Sequence, residues 1–317
     1  MSDPCAKTRS MLKAIPAFKL AGISLRAWEP VKDLAVLCKG GSSGYGWSHH
    51  GQMSACPEMY RLAEIKRLEI TPYDQNMKLN ALSFGIVWHW LLEGHHNGKN
   101  PLPVLKKMQG IPLDDMERLT TMFLLYKKRY TTFPFKILAT EIRIETSIPG
   151  VLCIERGKMV RKTQPYSVRY DGVIQYPNGA IYSFEHKSAS DIRNTTGAEW
   201  STSSSIHGQV WAWNRHPIAK KLGPMKGVLM DIATKAKEPD YTRIPLYISQ
   251  QQLTMHERNL RFWLGWRNQL YKELGPNVEW PQNNSRCWSR YGPCAFLPHC
   301  HHGVEARLRV KPSPVAA

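Results

Sequence analysis

Apolar and polar positions follow two different periods along this chain, and the switches between them mark its elements. From Cys56 to Glu69 the apolar residues Met59, Tyr60, Leu62, Ala63, Ile65 and Leu68 fall at helical spacing and predict an amphipathic helix. Ala81 to Gly94 predicts a second helix, rich in Leu, Phe, Ile, Val and Trp and stopped by Gly94. A third runs from Asp114 to Tyr130, opened by Asp114-Asp115. At Lys136 the pattern changes to simple alternation, and Lys136 to Thr146 reads as a strand. Tyr170 to Lys187 reads as strand, turn, strand, with Pro177-Asn178-Gly179 closing a hairpin. Ser203 to Trp213 predicts a helix, Gly227 to Ala233 a strand, and Gln250 to Leu274 a long helix carrying Trp263, Leu264, Trp266 and Leu270.

The ends carry less pattern. Residues 1–50 show little beyond the loop signal of Gly40-Gly41-Ser42-Ser43-Gly44-Tyr45-Gly46. The stretch from Glu279 to Gly303 is irregular, and Lys311-Pro312-Ser313-Pro314 reads as disordered tail. Helix, three strands, helix, strand is the resulting order. It predicts an α/β fold with a mixed central sheet flanked by helices. The expected organisation is an N-terminal segment (1–55), one domain with a helical insertion (56–303) and a tail (304–317).

Charge narrows the function. The chain has 317 residues with 43 Lys plus Arg against 25 Asp plus Glu, a formal net charge of +18. Such a surface favours polyanions, nucleic acid first and anionic membrane second. The cations are spread through folded sequence rather than gathered in a tail, which favours nucleic acid over a generally basic protein. No apolar run approaches the ~20 residues that span a bilayer, and Met1-Ser2-Asp3-Pro4-Cys5 lacks a secretory signature. A reducing cytoplasm is the expected location. Seven cysteines there imply metal or cluster ligation more than disulfides.

The chemistry centres on the predicted hairpin. Asp171 opens its first strand and Glu185-His186-Lys187 closes its second. Residues two apart in a strand share a face, so Glu185 and Lys187 point the same way, and Asp171 meets them across the ladder. Two carboxylates beside an ammonium suit a Mg²⁺-assisted phosphodiester hydrolase. The acids are hard oxygen ligands, and the lysine can orient a water or stabilise developing charge. The competing reading is a solvated strand face.

Other residues have two readings each. His89, in Gly85-Ile86-Val87-Trp88-His89, is either a core histidine or a nitrogen ligand for the same metal. Glu141 is either an additional acid near that metal or the partner of Arg143. Gln209 either bonds the attacking water or a phosphate, or caps a polar face. Lys226 and Lys235 flank the later strand and are candidates to grip a DNA backbone. Cys287, Cys294 and Cys300 fall in one short Gly- and Pro-containing segment that can wrap a centre. Three thiolates need a fourth ligand. Cys56 is the first choice and Cys38 the reserve, with Cys5 and Cys153 spare. His299, His301 and His302 crowd Cys300 and keep zinc a rival to an iron–sulfur cluster.

Taken together these residues resemble the PD-(D/E)XK nuclease superfamily, in particular its RecB/AddB-type exonuclease branch with an iron–sulfur clasp. The resemblance rests on Cys56-Pro57-Glu58-Met59-Tyr60, Gly85 with His89, Asp171, Glu185-His186-Lys187, Gln209, and Cys287, Cys294 and Cys300, in the order of that branch. It implies a restriction-endonuclease-like core whose N- and C-terminal segments are clasped by a 4Fe–4S cluster on Cys56, Cys287, Cys294 and Cys300. It implies Mg²⁺ or Mn²⁺ held by His89, Asp171, Glu185 and the carbonyl of His186. Catalysis would then fall to Lys187 with Asp171, Glu185 and Gln209. Two departures stand out. Cys287 to Cys294 is wider than the usual Cys-x-x-Cys, and Trp213 stands where the glutamine motif continues to a tyrosine. No Gly-x-x-x-x-Gly-Lys-Ser/Thr loop is present, so the likeness is to stand-alone phage or CRISPR-associated nucleases rather than to fused helicases. The implied partner is DNA, as linear ends in single- or double-stranded form, together with recombination proteins, in the host cytoplasm if phage-encoded. A non-catalytic DNA-binding module and an RNA-directed nuclease are the other classes this composition allows.

Overall fold

The computed structural model of the protein describes residues 22–38, 45–70, 79–193, 195–289, 292–303 and 308–310. Cys5, most of the glycine-rich loop and the Lys311–Pro314 segment lie outside them. The chain divides into two compact units. The first comprises Met1–Gly41, Gln75–Thr146 and Ser167–His256, and the second Ser42–Asp74, Ser147–Tyr166 and Glu257–Ala317.

A six-stranded sheet organises the first unit. Its strands are β1 (Ile23–Leu25), β2 (Lys136–Glu155), β3 (Lys158–Gln175), β4 (Ile181–Ala189), β5 (Met225–Thr234) and β6 (Tyr241–Tyr247), and they lie in that order across the sheet. β2 beyond Thr146 and β3 before Ser167 belong to the second unit. β3 and β4 form the expected antiparallel hairpin, with Gly172 opposite Phe184 and Val173 opposite Ser183. Gly179 takes φ 84 at the turn, a conformation that favours glycine. β4 and β5 are parallel, so the chain must cross over between them. It does so through three helices, the longest being Ser204–Arg215. β6 then returns antiparallel at the edge. The sheet is mixed and flanked by helices, as the sequence predicts.

Helices α1 (Ala81–His96) and α2 (Leu113–Arg129) form the main apolar layer. The Asn80 side chain caps α1 by accepting from the Ser83 N–H at 2.8 Å. α2 opens with Asp114 and Asp115 and closes with Lys127, Lys128 and Arg129, matching its dipole at both ends. Trp88, Leu91 and Leu92 of α1 bury themselves against Leu119, Met122, Phe123 and Tyr126 of α2. The crossover helix is α3 (Ser204–Arg215), and α4 (Gln250–Glu273) follows the sheet. β6 escaped the sequence pattern because Pro245 interrupts it. An edge strand tolerates that proline, since no neighbour needs its missing N–H.

The second unit is less regular. The helix expected over Cys56 to Glu69 stops early: an α-turn (Pro57–Tyr60) passes into a π-turn (Arg61–Ile65), and Arg67 at φ 55 ends it. Leu68–Ile70 is instead a strand, paired with Leu308–Val310. Arg61 forks onto Glu58, with its Nε and Nη2 donating to the carboxylate at 2.7 and 2.5 Å. Glu58 also accepts from the Trp280 N–H at 2.7 Å, and Arg61 donates to the Pro276 carbonyl at 2.9 Å. This buried fork ties Pro57–Ile65 to the segment after α4. Among the described residues no helix is long and apolar enough to cross a membrane.

Candidate active site and cysteine cluster

Strand alternation sets up the site. Gly172 stands opposite Phe184, so Asp171 and Glu185 are the next residues along the ladder, and facing residues share one side of a sheet. Asp171 Oδ2 accepts from the His186 backbone N–H at 2.9 Å. The Lys187 Nζ donates to Glu185 Oε1 at 2.5 Å. His89, on α1, places its Nδ1 3.3 Å from Asp171 Oδ2. The structure therefore gathers Asp171, Glu185, Lys187 and His89, and it sets His89 against an acid rather than deep in the apolar core.

Gln209 stands beside Glu185. It is buried on α3, with its Oε1 accepting from Ser183 Oγ at 2.6 Å and its Nε2 donating to Glu185 Oε2 at 2.7 Å. Both ends of the amide are used, one of them on Glu185. The hydroxyl and the carboxylate also fix which end is oxygen, because only the NH₂ can donate to an ionised acid.

Glu141 is likewise rearranged. Arg143 pairs with Glu145 at 2.9 Å, while Glu141 faces Arg169 at 3.6 Å. The cause is local: Glu141 sits at φ 46 in mid-strand, a left-handed conformation that breaks the side-chain alternation. It thereby lines an open cavity of about 310 Å³ together with His89, Glu93, Arg169 and Lys187. Arg26, from the segment after β1, completes the rim.

Glu93 is the residue that sequence reasoning missed. It lies one turn beyond His89 on the same face of α1. It is only 4% exposed, and among the described residues its Oε1 has no hydrogen-bond partner. Burial, helped by the charge of Glu141, pushes its carboxyl up to about 8. Burial and the charge of Asp171 also raise Glu141. Asp171 moves the other way. Burial alone would raise it, but His89, with Lys187 and His186, holds it well below the usual carboxylate range. Burial would lower Lys187, yet Glu185 and Asp171 raise it and keep it an ammonium. Four carboxyls, Glu93, Glu141, Asp171 and Glu185, thus gather beside Arg26, Arg169, Lys187 and His89. Hard oxygen donors gathered in this way suit a divalent cation. The only signal for Glu93 was its spacing from His89, and that meant nothing until Glu141 was known to face it.

Behind this face the His186 ring is fully buried. Its Nδ1 lies 2.9 Å from Asp231 Oδ2, which also accepts from Tyr126 OH at 2.7 Å, and Arg243 Nε donates to Asp231 Oδ1 at 2.9 Å. Of the two lysines flanking β5, Lys226 is exposed, while Lys235 stands over the Phe84 ring at 5.5 Å.

In the second unit, Cys56, Cys287, Cys294 and Cys300 line one small cavity of about 20 Å³. The wide Cys287–Cys294 spacing is taken up by a short hairpin, Trp288–Ser289 against Gly292–Pro293, which lets the Cys294 N–H donate to the Cys287 carbonyl at 2.8 Å. Burial, Glu58 and the three neighbouring thiols push Cys300 up to about 11. His301 Nε2 stands 3.5 Å from Cys287 Sγ. Cys38 lies in the first unit, near Ser83, and Cys153 lies beside Asn268. Among the described residues no three His, Cys, Asp or Glu side chains stand at the spacing of a closed ligand shell. The four thiols nonetheless form a donor set of the right number and kind for a tetrahedral sulfur centre.

No family profile and no curated protein matches the chain. Among solved structures it is similar to a protein from Eubacterium rectale described as a "putative exonuclease", with 12% identity over 86% of this chain and 90% of that one, at a TM-score of 0.41. A second solved chain, SSO0001, matches at 11% identity over 55% of this chain and 69% of that one, with a TM-score of 0.26. Scores this low carry no functional argument, and the functional reading rests on the side chains.

Proposed function

We propose that this protein is a divalent-metal-dependent nuclease that hydrolyses DNA phosphodiester bonds, as an exonuclease in recombination, repair or end processing. One observation carries the reading. Asp171 and Glu185 share a face of neighbouring strands, with Lys187 bonded to Glu185, beside a cavity lined by His89, Glu93, Glu141 and Lys187. The RecB/AddB resemblance of the ordered motifs supports the same assignment, with a restriction-endonuclease-like core.

Asp171, Glu185, the His186 carbonyl and His89 would hold Mg²⁺ or Mn²⁺. Such an ion supplies Lewis acidity toward the phosphate and lowers the pKa of a bound water. The chain's own residues do the rest. Lys187, kept protonated by its two acids, offers a donor to a water or to the charge that develops on phosphate. Gln209 fixes the rotamer of Glu185, and the His186 N–H fixes that of Asp171. Arg26 and Arg169 on the cavity rim are placed to meet a phosphodiester. In the second unit, Cys56, Cys287, Cys294 and Cys300 would hold a 4Fe–4S cluster or, with His301 close by, zinc. Its role would be a structural one, joining distant parts of the chain.

Digestion of end-labelled linear DNA and closed circular DNA, with Mg²⁺, with Mn²⁺ and with EDTA, tests the reading. Metal-dependent loss of the linear substrate, abolished by Asp171→Asn, is expected. DNA binding without cleavage under all three conditions would instead identify a non-catalytic binding module.

A further inference from the structure

A second surface, in the other unit, is not used by this chemistry. An open cavity of about 610 Å³ lies between one face of α4 and the outer ends of β2 and β3. Phe262, Trp263 and Trp266 line its helical side and Leu152, Ile154 and Met159 its strand side. Phe262 is 62% exposed and Met159 67% exposed, an uncommon use of large apolar side chains on open surface. The rings are arranged in steps: Phe262 meets Trp263 edge-on with centroids 5.0 Å apart, and Trp263 meets Trp266 at 5.7 Å.

The platform is rigid. A Cβ on Gly265 would stand 3.4 Å from that of Leu152, so the helix already lies tight on the strand. Arg261 donates to the Pro149 carbonyl at 2.8 Å, and Arg267 to Gln164 Oε1 at 2.7 Å. The turn joining the two strands has Arg156 and Gly157 both at positive φ, 47 and 76, the geometry of a tight two-residue hairpin.

Charge identifies the occupant. The strand arm carries Arg156, Lys158, Arg161 and Lys162 against Glu155 alone. The helix from Glu257 onward carries Arg258, Arg261, Arg267 and Lys272 against Glu257 and Glu273. Stepped aromatic faces on two basic segments, with Arg261 in the groove itself, fit unstacked bases on a polyphosphate chain, since every base has a face that can stack and the backbone meets the cations. A second copy of this chain would oppose like charges, and duplex DNA keeps its base faces hidden. We infer that this groove binds single-stranded nucleic acid, with bases stacked on Phe262, Trp263 and Trp266. The inference deepens the nuclease reading by naming the strand form of the substrate and rests on that reading for the choice of DNA.

The test is the affinity of the full-length protein for fluorescein-labelled oligothymidylate by anisotropy in EDTA, where no cleavage enters. It is therefore decided whether or not the chain proves to be a nuclease. Wild type should bind with quenching of tryptophan fluorescence. Phe262→Ala should weaken binding about tenfold, Phe262→Tyr should restore it, and Arg258→Gln should reduce the salt slope by about 0.7. Phe262 is exposed, so its truncation leaves the core intact, and an unchanged thermal transition confirms that. Equal affinity of wild type and Phe262→Ala would overturn the inference. So would equally tight binding of duplex, or a dimer in sedimentation that Phe262→Ala dissolves.

Discussion

Asp231 accepts hydrogen bonds from Tyr126 and Arg243 and faces the His186 ring, all within a buried layer behind the candidate site. Burial alone would raise its carboxyl, but His186, Arg243 and Tyr126 hold it below the ordinary value. Removing it strands a guanidinium and an imidazole in the interior. Asp231→Ala should cost about 3–5 kcal/mol in a urea unfolding curve. A carboxyl depressed in the folded state stabilises above its unfolded value of about 3.9, and that contribution vanishes as pH falls through the folded value. Wild type should therefore lose part of its advantage over the variant below about pH 4. At this scale the sequence was informative where alternation alone fixes direction, as for Asp171, Glu185 and Lys187. It was silent on Glu93, whose chemistry depends on Glu141 across the cavity, and on the left-handed backbone that aims Glu141. It left the role of Gln209 open between two readings, because its two partners lie on a strand that only the packed helix reaches.

The elements follow their sequence periods wherever one face is apolar. α1, α2, α3, α4 and the hairpin of β3 and β4 begin and end within a few residues of the expected places. β6 and the π-turn at Arg61–Ile65 do not, because pairing at the sheet edge and the Glu58–Arg61 fork are tertiary facts. Pairing is closest at Gly227, where any Cβ would come within 2.0 Å of the Leu246 carbonyl oxygen. Gly227→Ala should push β6 away from β5 and lower stability by about 1–3 kcal/mol or more. A thermal melt checks this, and an unchanged midpoint would show that the edge strand yields freely.

For the molecule as a whole, residues far apart in sequence must meet for the proposed chemistry, and the cysteines make that requirement measurable. Cys56 and the three cysteines near the C-terminus line one cavity, whereas Cys38 lies in the other unit. Cys56→Ser and Cys294→Ser should lower the melting temperature alike and release bound iron or zinc, assayed by elemental analysis of anaerobically purified protein. Cys38→Ser should do neither. Choosing Cys56 from sequence rested on a motif, and no local pattern could have shown that a hairpin draws Cys287 to Cys294. The central claim, that two acids and an amine on adjacent strands act on a phosphodiester, is tested most directly by comparing wild type and Lys187→Ala. Each is assayed for Mg²⁺-dependent digestion of linear DNA and, in EDTA, for DNA binding. Cleavage is expected to fall at least about 100-fold with affinity unchanged; full cleavage by the variant would contradict the claim.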